Sequence, residues 1–90
     1  MMPSLSAPNK PLPRTALEPV CEALANAIRE RRTDSGLSLN RLAEFTNLSR
    51  PMIRFIENNE RIPTVDTVAR ISRAFGISLS QLVAEAEKKL

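Results

Sequence analysis

Ser38, Ser49, Thr64 and Ser78 each stand immediately before a short segment whose apolar residues recur at three- and four-residue steps. This punctuation constrains the fold more than any other feature. A hydroxyl residue opens a helix by accepting a hydrogen bond from an N–H in the first turn, and steps of three and four put side chains on one helical face. Ser38 therefore predicts a short helix through about Thr46, with Leu42 and Ala43 facing inward and Arg41 and Glu44 outward. After a tight Asn47-Leu48 connection, Ser49 predicts a helix to about Asn58, with Pro51 tolerated in its first turn and Asn59 suited to a left-handed end. Thr64 opens a segment carrying Val65, Val68, Ile71, Ala74 and Phe75 and closed by Gly76; Ser78 with Gln81 has capping-box spacing ahead of Leu79, Leu82, Val83 and Ala86, ending near Leu90.

The N-terminal third fits the same grammar. Thr15 and Glu18 have capping-box spacing, Pro19 suits a first turn, and Leu17, Val20, Cys21, Leu24 and Ile28 form one apolar stripe, which a further step of four carries to Arg32 before Gly36 stops the helix. Residues 1–14 differ: Pro3, Pro8, Pro11 and Pro13 alternate with small polar residues, which predicts a mobile arm with local polyproline character, its Lys10 and Arg14 within reach of a polyanion. The expected organisation is an all-α domain of five helices over residues 15–90 behind that arm. A chain of 90 residues has room for one core.

Composition excludes several function classes. Without histidine, and with Cys21 as its one cysteine, the chain lacks the usual general base, an intramolecular disulfide and the usual zinc ligands; no Gly-rich phosphate loop or serine elbow is present. The expectation is no metal, no cofactor and no catalytic residues. No apolar run approaches the roughly 18 residues of a membrane span, and no secretion signal opens the chain, so it reads as cytoplasmic with no membrane partner. The net charge of +3 is mild, but Arg29, Arg31, Arg32, Arg41, Arg50, Arg54 and Arg61 concentrate in the middle of the chain. Arginine is the side chain suited to forked contacts with phosphate and guanine.

The segment from Ser49 asks for an explanation. At about 100° per residue, Ile53, Ile56 and Glu57 fall on one side of its helix and Pro51, Arg54, Phe55 and Asn58 on the other, with Arg50 and Met52 at the borders. Two short helices joined by a tight turn, the second opened by serine and arginine, make a helix-turn-helix. The run "IRERRTDSGLSLNRLAEFTNLSRPMIRFIENNERIPTVDTVARISRAFGISLSQL" resembles, in order and spacing, the Cro/C1-type (XRE-like) helix-turn-helix domains of phage repressors and bacterial regulators, over about Ala23 to Val83.

The resemblance implies a lambda-repressor-like, five-helix DNA-binding domain. It would act as a homodimer on double-stranded DNA, in a bacterial or phage cytoplasm at the nucleoid. Carried over residue by residue, it makes Arg50, Pro51, Arg54 and Phe55 base-facing, Ser49 and Asn58 backbone contacts, and Arg32 and Glu57 a structural ion pair. Arg41 and Arg61 are further backbone candidates by their charge; for Arg29, Arg31 and Arg41 a plain solvated surface charge is an equal reading. Two positions depart from the pattern: Leu39 stands where members often carry glutamine, and Asn59 where glycine often follows the reading helix. The expected function is a transcriptional regulator reading an operator with the helix 50–58. The alternative is a protein-interaction module, antitoxin-like or a regulator's partner, that offers Leu39, Pro51, Met52 and Phe55 to another protein.

Overall fold

A computed structural model describes residues 17–90. Over that span the chain forms α1 (Pro19–Asp34), α2 (Leu39–Thr46), α3 (Arg50–Glu57), α4 (Val65–Ala74) and α5 (Leu79–Glu87), with no strand among the described residues. The proposed arm and Thr15 lie outside them.

The caps account for the boundaries. Ser38, Ser49, Thr64 and Ser78 all have extended backbones and accept from Arg41, Met52, Thr67 and Gln81 N–H respectively, and the Ser78 N–H donates in return to Gln81 Oε1, completing the box. Asn47 and Asn59 both sit at φ 58°, where asparagine tolerates the left-handed region, and Gly36 and Gly76 take φ 72° and 75°. The start of α1 differs from the expected capping box. Glu18 is the N-cap, extended at φ −67°, ψ 142°, with no side-chain cap bond. Pro19 disfavours a helical residue before it, so it holds Glu18 extended and makes itself the first helical residue.

α1 is the spine of the domain, flanked by α5 and α3; α2 packs on α3 and α4, and α4 on α5. Ile28, Leu42, Ile53, Ile56, Ile71 and Leu82 are fully buried. On α1 the buried side chains are Ala23, Ala25, Ala27 and Ile28, whereas Val20, Cys21 and Leu24 are half-buried and Leu17 is 53% exposed. Small alanines allow α5 to lie close along α1, a contribution that a stripe of large residues does not reveal. Two other positions lie outside the core: Val65, in the first turn of α4, is 72% exposed, and Leu90, beyond the end of α5, is 67% exposed.

Buried polar groups are paired. Thr46 donates its hydroxyl to Leu42 O (2.7 Å) and Ser72 donates to Val68 O (2.9 Å), so each satisfies itself within its own helix. Arg70 ties the seam of α2 and α4, with Nε donating to Asp66 (2.9 Å) and Nη1 to Thr46 O (3.4 Å).

Candidate nucleic-acid interface

α3 is short, and its position is set by what it buries. Ile53, Ile56 and Glu57 are 0%, 1% and 4% exposed. A buried carboxylate needs a partner, and α1 supplies it. Arg32 grips Glu57 with a fork, Nε donating to Oε2 at 2.7 Å and Nη2 to Oε1 at 3.0 Å, while Nη1 donates to Leu37 O at 2.9 Å. One guanidinium thus joins α1, the loop before α2 and the C-terminal turn of α3. Arg29 adds a contact from Nη1 to Glu57 O (3.3 Å) and a second bond to Asn26 Oδ1 (2.6 Å), placing positive charge at the end of α3 where carbonyls are unpaired.

With the inner face fixed, the outer face follows from the helical period. Arg50, Pro51, Arg54, Phe55 and Asn58 are all exposed. Arg50 and Arg54 make no side-chain hydrogen bond or ion pair among the described residues. Phe55 is 42% exposed, and the Arg61 guanidinium lies 6.0 Å from its ring centroid. The loop is folded back to allow this stacking: Glu60 and Arg61 N–H groups both donate to Phe55 O, at 2.8 and 3.2 Å. Ser49 Oγ accepts from Met52 N–H at 3.2 Å, which leaves its hydroxyl proton available to an acceptor outside the helix. Asn58 Nδ2 donates to Glu60 Oε1 at 3.4 Å.

The other expected residues divide. Arg41 is exposed on α2, its guanidinium 5.1 Å from the Phe45 ring centroid and Nη1 donating to Glu44 at 3.3 Å. Arg31 is remote from α3: its Nε donates to Glu85 Oε1 at 3.0 Å, with a second contact from Nη2 to Oε2, in the seam of α1 and α5. Hydrogen bonding to Arg31 holds the Glu85 carboxyl below its ordinary range, and the same bond raises Arg31. Met52 packs against the core, so it withdraws from the apolar patch that a protein-interaction reading would need. Cys21 lines a small apolar cavity with Leu24, Ile56 and Pro63. Phe45, 54% exposed beneath Arg41, was not marked by the sequence; its place four residues after Arg41 on α2 is the signal that would have found it.

Among the described residues, no helix is long and apolar enough to cross a membrane, and no group of three or more His, Cys, Asp or Glu is placed to hold a metal ion.

Comparison with known proteins matches this arrangement. The helix-turn-helix family model HTH_3 covers residues 28–82, from the second half of α1 into α5. The chain is similar to the HTH-type transcriptional regulator SutR of Escherichia coli, with 34% identity over 68 residues, 76% of this chain and 38% of that protein. It is similar also to the HTH-type transcriptional regulator PuuR of Escherichia coli, with 34% identity over 61 residues, 68% of this chain and 33% of the relative. The chain thus spans about a third of the length of these curated relatives. Among solved structures, the clp gene regulator ClgR of Corynebacterium glutamicum superposes with a TM-score of 0.73 at 27% identity, covering 90% of this chain and 96% of ClgR. The restriction-modification controller protein C.AhdI of Aeromonas hydrophila gives 0.65 at 25% identity over 70% of this chain and 94% of its own. A five-helix fold with α2 and α3 as its helix-turn-helix, matched by the family model over most of its length, places the chain in the Cro/C1-type (XRE-like) helix-turn-helix family of transcriptional regulators.

Proposed function

We propose that this protein is a sequence-specific DNA-binding regulator that lays α3 in the major groove of an operator. The observation carrying this reading is the division of α3. Its inner side is locked by Ile53, Ile56 and the Glu57–Arg32 fork, and its outer side presents Arg50 and Arg54 without internal partners beside exposed Pro51 and Phe55. Guanidinium groups that fold against nothing in their own domain suit guanine O6 and N7, and apolar neighbours suit thymine methyl groups. Ser49, Asn58, Arg41 and Arg61 flank the helix as backbone contacts, which position the domain without reading sequence.

One short reading helix makes few base contacts, so the protein acts as a homodimer whose two copies of α3 meet half-sites about 34 Å apart. Leu82 and Ala86 are consumed by the core at 0% exposure and Leu79 packs against it, leaving half-buried Val83 on α5 and exposed Leu90 beyond its end for the partner. The cytoplasm, where operators are found, is the compartment this reading requires.

The test is selection of duplexes from a random library followed by fluorescence anisotropy from 50 to 200 mM salt. A dimer neutralising six to ten phosphates loses roughly 10³–10⁵ in affinity over that range. No selected sequence, or binding that salt barely changes, would remove DNA reading and favour an apolar protein-binding surface.

A further inference from the structure

The outward residues of α3 are arranged in two rows. Arg50, Arg54 and Asn58 follow one another at four-residue steps, and Pro51 and Phe55 form a parallel row one residue along. Residues four apart on a helix are surface neighbours, so the reading face is a donor ridge beside an apolar ridge. The apolar ridge is braced. Arg61 covers the Phe55 ring at 6.0 Å, and the loop that carries it is bonded back to Phe55 O through the Glu60 and Arg61 N–H groups. A half-exposed phenylalanine beside a loose loop would sample several rotamers; one covered by an Arg61 whose loop is tied back to α3 presents a fixed edge.

Resting on the DNA reading proposed above, we infer that α3 recognises a pyrimidine carrying a C5-methyl group followed by guanine, Arg54 taking the guanine and Phe55 with Pro51 taking the methyl. In the major groove guanine offers two acceptors, O6 and N7, matched to a guanidinium fork, and the only apolar protrusion is a methyl at pyrimidine C5. A donor ridge adjoining an apolar ridge therefore complements a step in which that methyl lies next to a guanine. Two bases supply the methyl, thymine and 5-methylcytosine, and both satisfy the same apolar contact. Arg61 is the positioning residue: it sets the ring that meets the methyl.

The experiment takes the tightest duplex from the selection and alters the step beneath α3. Replacing its thymine by 2′-deoxyuridine removes one methyl and should weaken binding about fourfold, the equivalent of one buried methylene. Placing cytosine there and then 5-methylcytosine should recover a similar factor on methylation. Phe55→Ala should bring both ratios close to one while preserving preference for the guanine; Phe55→Leu should keep them; Arg61→Ala should shrink them beyond its effect on overall affinity. Failure to select any duplex would overturn the DNA reading and this inference with it. A selected operator lacking such a step, or one bound equally with uracil and thymine, would overturn the inference alone.

Discussion

Truncating the Arg32–Glu57 fork should destabilise the domain more than loss of any other ion pair among the described residues, and asymmetrically. The Arg32 and Glu57 side chains are 14% and 5% exposed. Breaking a buried pair costs about 3–5 kcal/mol, because the remaining charge is left in the interior. Glu57→Ala falls at the lower end of that range, about 3 kcal/mol: the long Arg32 side chain keeps its bond to Leu37 O (2.9 Å) and can turn its fork to water. Arg32→Ala belongs at the upper end, about 5 kcal/mol, since the Glu57 carboxylate beside Ile53 and Ile56 has little solvent to reach. The double replacement Arg32→Met with Glu57→Leu leaves no buried charge and should recover most of the loss. Urea unfolding followed by circular dichroism measures all three. With a slope of about 1 kcal/mol per molar urea, Glu57→Ala moves the midpoint by about 3 M. Single variants that each lose less than about 1 kcal/mol, or a double variant as unstable as the sum of the singles, would refute the buried-charge account.

Other perturbations separate the remaining contributions. Asn58→Ala should weaken binding to all DNA sequences alike, without altering the selected site, as measured by anisotropy on selected and scrambled duplexes. The folded-state pKa of Glu85 is lowered chiefly by its hydrogen bond to Arg31, so its contribution to stability is complete above the ordinary carboxylate pKa of about 4.3 and is lost as pH falls through the folded value. Unfolding free energies from urea titrations at neutral and strongly acidic pH should differ less in Glu85→Gln than in the parent, by no more than about 1 kcal/mol for a pair this exposed. Gly76→Ala should cost roughly 1 kcal/mol in the same assay. A methyl there meets no atom within 4 Å, so the penalty comes from φ 75° alone.

Legibility in the sequence followed the range of the forces involved. Serine and threonine caps act within three residues, and the observed starts of α2 to α5 fall directly after Ser38, Ser49, Thr64 and Ser78. The two sides of α3 followed from its period, because eight residues anchored by two isoleucines leave little freedom in register. α1 starts at Pro19, within a few residues of Thr15 and with the proline in its first turn, but Glu18 is its N-cap and not the third residue of a box, because Pro19 decides the backbone of its predecessor. Ala23 and Ala27 were passed over because a stripe read from large residues gives no weight to side chains whose value is close approach of a neighbouring helix. The Arg31–Glu85 pair joins residues 54 apart, and only the packing of α5 on α1 brings them together.

The central claim is that the outer face of α3 reads bases, and parallel selection from one random library with the parent and with Arg54→Ala tests it most directly. Arg54 is exposed and unpaired among the described residues, so the variant should fold with an unchanged urea midpoint. The account predicts that its selected sites lose preference at one base pair in each half-site, a discrimination of about 1–3 kcal/mol, and keep preference elsewhere. Identical sites selected with equal strength by both proteins would contradict it.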